Sequence, residues 1–187
     1  MLLCDIIGKA YHMTDGRDEI LKQLWDAQDV AYDLMAEYDS MPHIYGSQIL
    51  YQAEGYMLHM IALYPGSTIT EISTIMQKTT SACSQIVRKL RTKGLVKQVR
   101  NPDNNRKFNL WLTDAGSEVH KGYLDFNEYC QTKTFDLLKD ISAEELAIHT
   151  KVQCILNEAY RGDIRHCLET LSPEQTDYTL DDSETYD

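Results

Sequence analysis

The chain has 187 residues, of which 43% are hydrophobic and 25% charged, and its formal net charge is −11. That length can bury a sizeable core without metals or disulfides and suits one domain with extensions. An acidic total of this size argues by itself against a nucleic-acid partner, because the field of the whole molecule repels phosphates.

Met1 to Ile7 is apolar except for Asp5, with no basic segment before it and no small-residue cleavage site after it. It is expected to be neither a signal peptide nor a membrane span. From Asp15 to Tyr38 the residues Ile20, Leu21, Leu24, Trp25, Val30, Leu34 and Met35 recur at helical spacing among acids, which predicts a long amphipathic helix. Met41-Pro42 breaks it, and Tyr45-Gly46-Ser47 reads as a loop before a second helix over 48–63, ended by Pro65-Gly66. A short helix over 70–77 places Ile72, Ile75 and Met76 on one face. Another over 80–93 carries Cys83, Ile86, Val87 and Leu90 as its inward stripe, and Gly94 stops it after a last turn rich in Lys and Arg. The period then changes. Leu95 to Arg100 reads as a strand, residues 101–105 as dense turn chemistry, and Phe108 to Leu112 as the return strand. Thr113-Asp114 caps a helix to about Lys139, and Ser142 with Glu145 caps another to about Tyr160. From Ser172 to Asp187 there are six acids and no bases, a composition expected to be disordered.

The charges are not spread evenly over these elements. Between Lys78 and Lys107 there are nine Lys and Arg against one acid, Asp103, so this stretch is +8 and the rest of the chain −19. A local basic surface on an acidic body can still attract one face of a polyanion. Two short helices followed by a hairpin with a polar tip is also the order of a winged helix-turn-helix, whose second short helix enters the major groove. The fold class expected is therefore mainly α with a small β-hairpin wing, a winged helix-turn-helix core flanked by long helices. Beside its apolar stripe the 80–93 helix offers Thr80, Ser81, Ser84, Gln85 and Arg88. Hydroxyls and the helix N-terminus, with Thr79 just before it, suit phosphate oxygens, while Gln85 and Arg88 can make bidentate contacts to base edges. Lys89, Arg91, Lys93 and Lys97 are expected along the DNA backbone, adding affinity without sequence information. The hairpin tip contributes Asn105, Arg106 and Lys107.

The run from Thr68 to Gly116 resembles the DNA-binding core of MarR-type transcriptional regulators. The resemblance rests on the helix start Thr70-Glu71-Ile72, the ending Leu90-x-x-x-Gly94-Leu95-Val96, a wing with Arg106, and Leu112-Thr113-x-x-Gly116 behind it. It covers roughly a quarter of the chain. One departure is Asn104, where the family usually has an Asp two residues before the wing arginine, so charge assistance to Arg106 is lost. The resemblance implies a homodimer whose flanking helices interlock and hold two recognition helices one turn of DNA apart, about 34 Å. Trp25, Leu34, Met35, Ile148, Val152, Ile155 and Leu156 would then serve the dimer. It further implies a transcription regulator, most often a repressor, acting on a pseudo-palindrome in the cytoplasm and answering to a small-molecule effector. Double-stranded DNA and a second copy of the chain are the partners, with no membrane and no cofactor. The organisation expected is 1–47 for the N-terminal dimerisation helix and linker, 48–114 for the DNA-binding region, 115–171 for C-terminal dimerisation helices, and 172–187 for the tail.

Other features have plainer readings. Cys83 falls in the apolar stripe and reads as a small hydrophobe; Cys4 has no activating partner in sequence; Cys130, Cys154 and Cys167 read as packing residues. No CxxC pair indicates a zinc ribbon or a disulfide framework, and a reducing cytoplasm is the simplest setting. His43, His59 and His120 lack ligand spacing, which favours core or surface histidines over a metal sensor. The tyrosines Tyr32, Tyr38, Tyr45, Tyr51, Tyr56 and Tyr64 suit a pocket for phenolic or anionic ligands, or an interface. The alternative function is a winged-helix module that docks a protein without specific DNA binding. No Ser/His/Asp or Cys/His arrangement, phosphate loop or paired-carboxylate site suggests an enzyme.

Overall fold

The computed structural model describes residues 16–102, 104 and 107–170. In chain order the elements are α1 (Arg17–Ser40), β1 (Pro42–Tyr45), β2 (Gln48–Tyr51), α2 (Gln52–Leu63), α3 (Ile69–Met76), α4 (Thr80–Thr92), β3 (Val96–Arg100), β4 (Phe108–Leu112), α5 (Asp114–Leu137) and α6 (Ala143–Thr170). The mainly helical winged architecture expected from the sequence is present. The predicted acidic tail, Cys4 and the apolar run at Met1 to Ile7 lie outside the described residues. Among the described residues, no helix is long and apolar enough to cross a membrane.

One segment departs from the expectation. Residues 48–51 are not the first turn of a helix; they return antiparallel on residues 42–45, with Tyr45 paired to Gln48 and Pro42 to Tyr51. Gly46 takes a φ of +60° in the two-residue turn between them. His43, Tyr45 and Leu50 point inward while Ile44 and Ile49 stay exposed. This period-2 burial is masked in sequence, because apolar and aromatic side chains occupy both faces.

The helix boundaries follow local chemistry. Thr68 caps α3: its hydroxyl accepts from the Glu71 N–H at 3.3 Å, and its own N–H donates to the Glu71 carboxylate at 2.7 Å. The Thr68 N–H and hydroxyl, both donating to that carboxylate, hold the Glu71 carboxyl below its ordinary range. Thr79 caps α4 by accepting from the Ala82 N–H, and Thr113 caps α5 by accepting from the Gly116 N–H. Ser142 and Glu145 form the predicted reciprocal cap of α6. At the far end of α4, Gly94 adopts φ +72°, and the Leu95 N–H reaches back to the Leu90 carbonyl at 2.9 Å, a Schellman closure that L side chains resist. The α6 helix runs to Thr170, ten residues past the predicted end, and passes through Gly162 without stopping.

The core gathers Tyr45, Leu50, Met57, Leu58, Ile61, Ile72, Cys83, Val87, Leu90, Leu95, Leu110, Val119 and Tyr123. It therefore joins the β1–β2 hairpin, the three short helices, the wing base and the first half of α5. Burying each Leu or Val there contributes about 1.5–3 kcal/mol. Of the predicted inward sets, Cys83, Val87 and Leu90 are buried and Ile86 partly so, whereas Ile75 is exposed and corrects the face assigned to α3. By contrast α1 and α6 bury nothing within the chain.

Candidate nucleic-acid interface

The helix α3 ends at Gln77, which takes a left-handed φ of +54°, and the chain re-enters helix at α4 three residues later. Ser73 Oγ and Thr80 Oγ1, 3.2 Å apart, bond the two helices across the turn. With its Cys83, Val87 and Leu90 stripe turned to the core, α4 exposes Thr80, Ser81, Gln85, Arg88, Lys89 and Arg91, with Ser84 half-buried. The hydroxyls are partly committed: Thr79 to the cap, and Ser84 to the Thr80 carbonyl at 2.6 Å. Gln85 and Arg88 remain on the surface one turn into the helix, the place from which side chains reach base edges.

Beside α4 stands the wing. β3 and β4 pair from Val96–Leu112 to Arg100–Phe108. Backbone bonds from Gly66 N–H to the Leu110 carbonyl and from Leu110 N–H to the Ser67 carbonyl tie the wing to the entry of α3. At the tip the Asn101 N–H donates to the Lys107 carbonyl, the Lys107 N–H to the Asn104 carbonyl, and the Asn104 N–H to Asn101 Oδ1. Lys107 is exposed. Asp103, Asn105 and Arg106 lie outside the described residues, and with them the orientation of Arg106 by Asn104.

Between α4 and β3 is an open cleft of about 480 Å³ lined by Arg88, Arg91, Thr92, Val96, Lys97 and Gln98. Three cations and no acid line it, so its field favours an anion. Thr92 and Gln98 were not singled out in the sequence. The signal for both is periodicity: Thr92 lies one turn beyond Arg88, and Gln98 is next to Lys97 on the strand. A second open cleft, of about 560 Å³, separates α4 from the start of α2 and is lined by Tyr51, Glu54, Gln85, Arg88, Lys89, Thr92 and Lys93.

Lys93 corrects the sequence reading. It was expected on the DNA backbone with Lys89, Arg91 and Lys97, but its Nζ lies 2.9 Å from Glu54 Oε2 and 3.4 Å from the Ile49 carbonyl oxygen. Burial of Glu54 supplies the reason: an ionised carboxylate away from water draws the nearest cation inward.

The remaining candidates fall elsewhere. Burial raises the Cys83 thiol above its ordinary range, which suits packing. Cys154 and Cys167 are exposed rather than packed within the chain. His59 Nδ1 and His120 Nε2 meet at 2.9 Å between α2 and α5, a pairing that no sequence spacing announced. His43 stands apart, its Nε2 3.2 Å from the Tyr38 carbonyl oxygen. Among the described residues, no group of three or more His, Cys, Asp or Glu is placed to hold a metal. Tyr45 is a core residue donating to Gln52 at 2.8 Å, while Tyr32 is 75% exposed on α1, so the tyrosines do not form one pocket.

Residues 50–107 match the model of the MarR family. No curated protein matches the sequence. Among solved structures, the zinc-responsive MarR family member ZitR of Lactococcus lactis is similar at a TM-score of 0.63 and 18% identity, over 75% of this chain and 99% of that one. FabT of Streptococcus pneumoniae, solved in complex with DNA, is similar at 0.57 and 21%, over 79% and 99%. The adhesin competence repressor of Streptococcus pyogenes is similar at 0.56 and 17%, over 75% and 97%. Residues 50–107 thus match the MarR family, and the chain around them has the winged-helix fold of these solved structures.

Proposed function

We propose that the chain is a homodimeric, sequence-specific DNA-binding regulator, acting as a repressor on a pseudo-palindromic operator in the cytoplasm. The observation that carries this is the face of α4. Gln85 and Arg88 are exposed one turn into the helix, flanked by Thr79, Thr80, Ser81, Ser84, Lys89 and Arg91. Beside them the three-cation cleft continues onto Lys97 of the wing. Gln85 and Arg88 read bases; the hydroxyls, the other cations and the wing tip at Asn105, Arg106 and Lys107 hold phosphate and the minor groove. FabT, of the same fold, was solved bound to DNA, which supports the assignment.

The dimer is supported by the flanking helices. Trp25 is 56% exposed on α1 and Ile155 61% on α6, in rows of large apolar residues that stay exposed among the described residues. Contiguous apolar faces of this kind mark protein interfaces. Pairing two chains through residues 1–47 and 115–171 would place two DNA-binding regions, 48–114, side by side. A small-molecule effector would then act by changing the spacing of the two recognition helices.

Selecting bound duplexes from a random pool, with light scattering on the same preparation, tests both parts. The expected result is a two-fold related motif bound by a particle of twice the chain mass. Enrichment of no motif would favour the protein-docking alternative.

A further inference from the structure

The proposed DNA-binding role leaves one cation of the recognition helix in an unexpected place, and this inference rests on that role. The side chain of Lys93 follows the last turn of α4 and reaches across the cleft that Arg88 and Lys89 also line, toward Glu54. Its Nζ donates to Glu54 Oε2 at 2.9 Å, with the two side chains 33% and 5% exposed. The same Oε2 accepts the Tyr51 N–H at 3.0 Å, at the junction where β2 becomes α2. A second Lys93 contact, 3.4 Å to the Ile49 carbonyl oxygen, falls on β2 itself. One ammonium group therefore connects the end of the recognition helix to both the hairpin and the first turn of α2.

The rest of the α4–α2 junction explains why such a connection matters. Its inner side is the apolar contact of Cys83, Val87 and Leu90 with the core, whose driving force is not directional. Its outer side is the open cleft of about 560 Å³, where Gln85, Arg88 and Thr92 face Tyr51 and Glu54 across unfilled space. The Lys93–Glu54 bond bridges the end of that gap. Hydrogen bonds to charged partners are directional, so this one adds a constraint on the rotation of α4 at the end opposite the Ser73–Thr80 bond.

We propose that Lys93 is a positioning residue: through Glu54 it holds the recognition helix at the rotation that aims Gln85 and Arg88, and it is not a phosphate ligand. Its charge is paired with the buried carboxylate of Glu54, so it releases no counterion from DNA.

The test is a salt titration of DNA binding for the full chain, on a selected duplex and on random duplex. Lys93→Met should lose selected-site affinity by roughly tenfold or more, lose less on random duplex, and keep the wild-type slope of log affinity against log salt. Lys89→Ala, by contrast, should flatten that slope by about one contact, near 0.9. Lys93→Arg should stay within about threefold of wild type, since a guanidinium can donate to the same carboxylate. Adding Glu54→Gln to Lys93→Met should recover part of the loss, because no buried charge is then left unpaired. A slope flattened in Lys93→Met as in Lys89→Ala, with equal loss on both duplexes, overturns the proposal. Thermal unfolding of the same variants gives a readout without DNA: the two substitutions should be strongly non-additive, and additivity also overturns it. Wild-type protein that retains no duplex would refute the DNA-binding role itself, and the unfolding cycle would still decide whether the strut exists.

Discussion

Substituting Gly122 by Ala tests a close approach of backbone to backbone between α5 and the turn joining β1 to β2. A Cβ there would lie 2.3 Å from the Gly46 nitrogen, 2.8 Å from the Tyr45 carbonyl carbon and 2.9 Å from the Gly46 Cα. All three atoms belong to the backbone of the turn between β1 and β2, so no side-chain rotation relieves the contact. Restoring ordinary separation means parting α5 from the hairpin by about 1 Å, which strips dispersion contacts along that seam. Overpacking of this kind costs about 1–3 kcal/mol. At roughly 2–4 °C per kcal/mol for a chain of this size, Tm should fall by about 2–12 °C. Gly162 in α6 is the control, since the nearest atom to its added Cβ is Arg165 Nη2 at 4.0 Å. Alanine there should stabilise by about 0.5–1 kcal/mol, because glycine is a poor helix interior residue. Calorimetric melts at one fixed protein concentration compare the two. A Gly122→Ala protein melting at or above the wild-type temperature would refute the close seam and, with it, the placement of the hairpin against α5.

Three further outcomes are expected. Arg88→Ala should cost on the order of 1–3 kcal/mol on selected DNA and relax base preference, whereas Lys97→Ala should weaken all sequences alike and flatten the salt slope; mobility shifts showing equal loss on specific and random DNA for both would contradict that division. Gln77→Gly should raise Tm, since relieving a left-handed L residue at the α3 terminus is worth about 1 kcal/mol, and a lower melting point would count against the turn geometry. Burial lowers the pKa of His59 and of His120, the latter also feeling His59, from an ordinary 6.5. The folded state therefore favours the neutral rings: their contribution is intact above about pH 6.5 and is lost as pH falls from there toward the lowered folded values. Urea midpoints at pH 7.5 and 5.5 should differ more for wild type than for His59→Gln/His120→Gln, and an equal difference would remove the histidine pair from the account.

The caps and stops of this fold were legible because they depend on neighbours in sequence. Thr113 and Ser142 each bond to an N–H three residues on, and Gly94 closes α4 through contacts within five residues. The β1–β2 hairpin was not legible, although Gly46-Ser47 between β-branched and aromatic residues is a hairpin signal, because Leu50 in the core and Ile49 in solvent are alike in hydropathy. At the candidate site, periodicity placed Gln85 and Arg88 on the exposed face. It could not place Lys93, whose position is set by Glu54, 39 residues earlier in the chain. The His59–His120 contact spans 61 residues and escaped for the same reason.

The absence of any buried residue in α1 and α6 carries a consequence for genetics. On the proposed pairing, both helices complete their packing against another copy at a distance from the exposed face of α4, so assembly does not inspect the residues that meet DNA. A copy disabled at Arg88 would still recruit intact subunits, and cells carrying both alleles should show dominant interference in proportion to gene dosage.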